Sequence, residues 1–231
     1  MPGTEAKSKH AESLLNINVS IMSKAVTKKS KTAIREDNID AILFAAESVF
    51  AERGYKGATT TEIARRATLP KANLHYYFET KEMLYKQVLS NVAESWLAAA
   101  NTFDTIDQPV EALTRYIHAK MDLSRSRPEG SKVWANEIMR GAPVIQHYLE
   151  TTLQDWTASR VQCIQVWIKK GLIRPIEPLQ LLYMIWATTQ HYADFTQQIT
   201  TLNDNQPLSD KQFESAKLQV TEIILRGIGA L

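Results

Sequence analysis

From residue 36 onward, apolar side chains return every three or four positions, a pattern that predicts helices rather than strands. Ile39, Ile42, Leu43, Ala46, Val49 and Phe50 fall on one helical face, and Gly54 just beyond them predicts a left-handed stop. Thr59-x-x-Glu62 reads as a capping box opening a short helix whose inner face is Ile63, Ala64 and Ala67. Thr68-Leu69 makes a brief turn. Pro70 suits the start of a second short helix, Lys71 to Tyr77, because a first-turn residue has no helical partner for its N–H. That helix turns Leu74 and Phe78 inward. Thr80 is expected to cap a longer connecting helix from Lys81 to about Asn101, with Leu84, Val88, Val92 and Trp96 along it.

The remainder predicts helices near 108–127, 130–140, 144–171, 177–199 and 208–228. Gly141-Ala142-Pro143 and the stretch from Gly171 to Pro178 break the pattern between them. No alternating strand pattern competes, and no repeat recurs at a fixed period. The fold class is therefore all-α: an N-terminal three-helix domain with a helix-turn-helix over 59–78, then a larger helical domain. The expected division is an arm over 1–35, a first domain over 36–96 and a second over 97–231.

Charge changes this picture at one end only. The 231-residue chain carries a net +2, yet residues 1–35 alone hold seven Lys or Arg against Glu5 and Glu12. A basic, poorly patterned arm beside a folded reader would attract phosphate, and it would equally serve as a solvated tail. Hydrophobic residues at 44% and charged residues at 23% are ordinary for a soluble domain. No apolar run approaches the roughly 18 residues of a membrane span, and no secretory leader is legible, so a cytoplasmic location is expected. The single Cys163 excludes an internal disulfide and a cysteine-based zinc site. His118 and His147 have no second ligand one helical turn away, so no metal or other cofactor is expected.

Two short helices joined by a tight turn and braced by a preceding helix form a helix-turn-helix, whose second helix lies in the major groove. Its free face would offer Lys71, Ala72, Asn73, His75 and Tyr76. Asn73 can pair twice with adenine, His75 can donate to a base edge or phosphate, and Ala72 and Tyr76 can touch a thymine methyl. Thr60, Thr61, Tyr77 and Lys81 sit where phosphate contacts would position the protein. The stretch Thr60-Thr61-Glu62-Ile63-Ala64-Arg65-Arg66-Ala67, with Leu69 and then Lys71 to Leu84, resembles the signature of the TetR family. Three departures stand out: Thr68 replaces the usual turn glycine, Pro70 the usual serine cap, and His75 the usual first tyrosine.

In the second domain, Tyr183 to Phe195 places Trp, Gln, His, Tyr and Asp in an otherwise apolar helix. Trp186, Gln190 and Asp194 share one face, which suits a small planar polar ligand held by stacking and paired hydrogen bonds. A polar seam in a dimer interface fits the same residues. Together with Trp134, Glu137, Gly141-Ala142-Pro143 and Trp167-Ile168-Lys169, the segment resembles the branch of the TetR family that governs pyrimidine use and responds to uracil. The resemblance implies an all-α homodimer, a pyrimidine-sized pocket, and release of double-stranded operator DNA when ligand binds. The pocket residues it nominates are Trp134, Glu137, Trp186, Gln190 and His191. Trp156, Ile164, Trp167 and Ile168 read as a core or dimer stripe, and Cys163 as packing. Other TetR effectors, a helical interaction module without DNA binding, and an acid–base pair of Glu137 and His191 are the competing readings. No nucleophile motif accompanies that pair.

Overall fold

The computed structural model describes residues 30–101, 103 and 107–231, which are helical with no strand among them. The basic arm expected over 1–35 lies almost wholly outside the described residues. In order, the helices are α1 (Lys31–Gly57), α2 (Thr60–Arg66), α3 (Lys71–Tyr77), α4 (Lys81–Ala99), α5 (Pro109–Ser126) and α6 (Pro128–Met139). A short turn of helix, Gln146–Tyr148, and a π-helical stretch, Leu149–Leu153, then lead into α7 (Gln154–Lys169). The last three are α8 (Pro178–Asp194), α9 (Thr196–Leu202) and α10 (Asp210–Gly227).

The first described turns, residues 30–40, begin with the Ser30 hydroxyl accepting the Ala33 amide proton at 3.1 Å. Helix α1 thus starts at Lys31, ahead of residue 36 where its apolar periodicity begins. Gly54 breaks it at φ 64°, ψ 172°, as the stop signal predicts, although helical turns resume to Gly57.

Residues 41–231 form one compact unit. At its N-terminal end Ile42, Ala46, Val49, Phe50, Ile63, Ala64, Leu74 and Phe78 are buried, the inward faces that the periodicity names. Farther along, Tyr116, Ile117 and Met121 of α5 pack with Ile164 and Trp167 of α7, Leu182 and Ile185 of α8, and Ile224 and Leu225 of α10. Burying a side chain of this size contributes about 1.5–3 kcal/mol, so this cluster is the principal source of cohesion. Helix α8 packs on α5 and α6, and α4 packs on the same two. The boundary expected at residues 96 and 97 falls inside α4, which runs unbroken from Lys81 to Ala99. Among the described residues, no helix is long and apolar enough to cross a membrane.

Helix ends follow local chemistry. The Thr80 hydroxyl accepts from the Met83 amide at 3.1 Å, capping α4 as expected. The Thr59 hydroxyl likewise accepts from the Glu62 amide at 3.2 Å. The reciprocal half of that capping box is missing, because the Glu62 carboxylate is taken by Arg65 and Arg66. Pro70, at the N-cap of α3, offers no side-chain cap.

Candidate nucleic-acid interface and ligand cavity

The helix-turn-helix is built from α2 and α3. Residues Arg65 to Leu69 close α2 by bonding the Leu69 amide to the Ala64 carbonyl at 3.0 Å and the Thr68 amide to the Arg65 carbonyl at 3.2 Å. This is the Schellman arrangement, and it holds Thr68 at φ 57°, in the left-handed region. Leu74 is fully buried on the inner side of α3, while Lys71, Ala72, His75 and Tyr76 face outward. Asn73 and Tyr77 are half-buried at the edges, and the Tyr76 and Tyr77 rings meet edge to face at 5.1 Å. Thr61 is exposed and Thr60 half-buried at the start of α2.

Lys81 behaves differently from the expectation. Its ammonium donates to the Tyr55 carbonyl at 2.8 Å and the Ala58 carbonyl at 3.0 Å, and lies 4.6 Å from the centre of the Tyr55 ring. These carbonyls belong to the end of α1 and its exit, groups that lack intrahelical partners. Two of the three ammonium N–H groups are therefore held inside the head, where Lys81 braces the end of α1 against α4. Behind the reader, Glu62 accepts from Arg65 and Arg66, which hold its carboxyl down to about 2, Arg65 foremost, and Arg66 also pairs with Glu52.

A cavity of about 440 Å³ opens between α4, α5, α6, the π-helical stretch, the start of α7 and the second half of α8. Its walls are Trp96, Trp134, Trp156 and Trp186, with Tyr116, Tyr148 and aliphatic groups between them. Trp96 and Trp134 meet edge to face at 5.4 Å, and Trp156 and Trp186 are tilted at 6.3 Å. The Trp186 indole donates to the Tyr116 hydroxyl at 2.9 Å, which fixes that ring. Three polar groups on this lining have no hydrogen-bond partner among the described residues: the Lys120 amine, the Tyr148 hydroxyl and the Gln190 amide. Lys120 is only 2% exposed and its Nζ lies 4.3 Å from the centre of the Trp96 ring. Burial pushes its pKa down to about 7, against a weaker opposing pull from Asp194.

Of the five nominated pocket residues, Trp134, Trp186 and Gln190 line the cavity. Glu137 and His191 do not. Glu137 is buried on another side of α6, where it accepts from the Tyr85 hydroxyl at 3.1 Å and the Val144 amide at 2.6 Å. His191 is exposed and stacks on Phe195 at 4.8 Å. One residue beyond Gln190 is a rotation of about 100° around the helix, enough to leave the cavity. Asp194 is likewise engaged, accepting from the Ser131 hydroxyl at 2.6 Å. Trp156, read as part of a core or dimer stripe, lines the cavity and packs against the core to which Ile164 and Trp167 belong. Sequence reading missed Trp96, Tyr116, Lys120 and Tyr148 as wall residues. The one legible signal was Lys120, a lysine among Tyr116, Ile117 and Met121 on the buried face of its helix.

Helices α4 and α6 link this cavity to the reader. Helix α4 carries Trp96 at the cavity and Tyr85 at the head, where Tyr85 meets Phe50 edge to face at 4.8 Å and Tyr55 at 4.8 Å. Helix α6 carries Trp134 at the cavity and Glu137 on Tyr85. At its start Arg127 pairs with the buried Glu47 of α1. Gly130 permits that approach, since a Cβ there would lie 2.8 Å from Val92 Cγ2 and 2.9 Å from Glu47 Oε1.

Comparison with known proteins agrees with this architecture. Residues 42–88 match the model for bacterial regulatory proteins of the tetR family, and residues 89–231 match that for the C-terminal region of YcdC-like proteins. The chain is 35% identical over 206 residues to the HTH-type transcriptional regulator RutR of Escherichia coli (strain K12), covering 89% of this chain and 93% of that one. It is 26% identical over 161 residues to the HTH-type transcriptional repressor KstR2 of Mycolicibacterium smegmatis, covering 66% of this chain and 78% of that one. Among solved structures it resembles AibR in complex with isovaleryl coenzyme A and operator DNA, with TM-score 0.63 and 19% identity over 80% of this chain and 97% of that one, a likeness of fold alone. A reader head, a helix shared between head and cavity, and matched models over both parts together place the chain in the TetR family of transcriptional regulators.

Proposed function

We propose that this TetR-family regulator is a repressor that leaves its operator when a planar, uracil-like ring enters the Trp-lined cavity. The observation that carries the reading is the cavity itself. Aromatic faces wall it, and two side chains on its lining that make no hydrogen bond among the described residues, the Lys120 amine and the Gln190 amide, offer it a donor and a group able to give and accept. A cyclic amide with carbonyl oxygens and ring N–H groups offers the complementary set. Buried polar groups left unpaired are costly, so a ligand that satisfies them gains affinity and specificity together.

Lys71, Ala72, Asn73, His75 and Tyr76 read the major groove, and Thr60, Thr61 and Tyr77 hold backbone phosphates. Because α4 and α6 carry both cavity wall and head contacts, a ligand that separates or rotates them favours one head placement over another. It acts only through its different affinity for the two placements. The protein works as a two-fold homodimer. Tyr183 and Met184 on α8 and Leu218 and Ile223 on α10 are large apolar side chains left exposed, and a second copy would cover them. Two heads would then meet half-sites about 34–36 Å apart.

Fluorescence anisotropy of the full chain on DNA from upstream of its own gene, with and without uracil, tests the proposal. Specific binding released by uracil is expected. Specific binding indifferent to uracil removes the pyrimidine reading and keeps the regulator. Lys71→Ala or Tyr77→Ala should weaken binding, and unchanged affinity in both would overturn the assignment of α3.

A further inference from the structure

We infer that the cavity selects a weakly acidic planar ring, bound with an oxygen bearing negative charge on Lys120, and that Lys120 is the residue setting this preference. The inference rests on the ligand reading proposed above and goes further by assigning the ligand's charge. A lysine 2% exposed is rarely tolerated without a partner, and among the described residues its amine has neither a hydrogen bond nor an ion pair. The face of Trp96 offers a quadrupole, not a counter-charge. Asp194 is too far to pair, and Ser131 holds its carboxylate elsewhere. A neutral carbonyl would accept one hydrogen bond from the amine and leave its charge unbalanced. An anionic oxygen would do both, through a charge-assisted bond.

The remaining groups fit a ring of that kind. Other titratable side chains on the lining are Tyr116, whose hydroxyl is engaged with Trp186, and Tyr148, whose hydroxyl is buried and unpartnered. Among the described residues, no carboxylate lines the cavity to repel an anion. Gln190, on the same lining, pairs with an adjacent amide edge of the ring. The low pKa of Lys120, near 7, points the same way, since its amine gains most from a partner that fixes its charge.

The test compares uracil with 5-fluorouracil, a ring of nearly the same shape and greater acidity, by quenching of tryptophan fluorescence in the full chain. The wild type should bind 5-fluorouracil about five- to tenfold more tightly. Lys120→Met, which replaces the amine with an apolar group of similar length, should erase that ratio. Lys120→Arg, which keeps the charge, should retain part of it and guards against a folding defect in the first variant. Equal affinities in the wild type, or a preference that survives in Lys120→Met, would overturn the inference while leaving the pyrimidine cavity standing. Quenching by neither ring would overturn the cavity reading, and this inference with it.

Discussion

The Tyr85 hydroxyl donates to Glu137 Oε2 at 3.1 Å across a buried contact between α4 and α6. The carboxylate also takes the Val144 amide at 2.6 Å, so α4 and the turn that follows α6 both depend on one side chain. Burial, with the neighbouring Glu137 charge, raises the Tyr85 pKa well above the usual tyrosine range and keeps the hydroxyl a donor. Tyr85→Phe keeps the ring packing against Phe50 and Tyr55 and removes the bond. We expect a loss of about 2 kcal/mol in urea unfolding, typical of a hydrogen bond to a charged group. Affinity for the ring ligand should stay within about twofold, while the ligand's effect on operator affinity shrinks. A fully retained ligand response in anisotropy titrations would show that this bond carries no coupling.

Thr68 occupies a position for which this chain elsewhere uses glycine. Gly141, Gly171 and Gly229 hold the same place in three other Schellman ends, at φ 86°, 69° and 70°. A branched side chain pays about 1–2 kcal/mol for that conformation, and Thr68 is exposed with nothing gained in return. Thr68→Gly should therefore stabilise the head by about 1 kcal/mol, read as a raised urea midpoint at unchanged slope. A lowered midpoint would mean that the Thr side chain contributes a contact in the folded head.

Lys71 and Lys81 separate reading from bracing. Lys71 is exposed on α3, so Lys71→Ala should weaken operator binding and flatten its salt dependence without changing the melting temperature. Lys81 holds two carbonyls of the preceding segment, so Lys81→Met should lower the melting temperature, through a stability loss of about 1–3 kcal/mol from the missing charge-assisted bonds. The opposite assignment of effects would reverse the roles given to these two lysines.

Glu62 ties α2 to Arg65 and Arg66, and its folded carboxyl sits at about 2, below its ordinary value of 4.5. A depressed folded pKa means stability that is fully present above the ordinary value and is lost as pH falls toward 2. Thermal melts should show the head weakening below about pH 4.5, the ordinary carboxylate range. Glu62→Gln should flatten that dependence, and a variant that loses stability between pH 4.5 and 2.5 as steeply as the wild type would exclude Glu62 as its source.

Much of this architecture is local, and the sequence by itself determined it. Helix periodicity, the Thr80 cap and the glycines at 54, 141 and 171 act within a few residues, so α3 spans Lys71 to Tyr77 as its pattern requires. The reader motif is legible for the same reason: its turn, caps and inner face lie within about twenty consecutive residues, the length of a helix-turn-helix. The cavity is not local. Trp96, Lys120, Trp134, Tyr148 and Gln190 come from separate segments, and only packing of α8 and α4 on α5 and α6 brings them together. Sequence shows that a buried polar group must be satisfied, but not by what. Glu137 and Lys81 found partners inside the protein, at Tyr85 and at the end of α1, while Lys120 was left facing the cavity. Which polar side chain is spent on the fold and which remains for a ligand is set by long-range geometry, and so tertiary structure alone decided it.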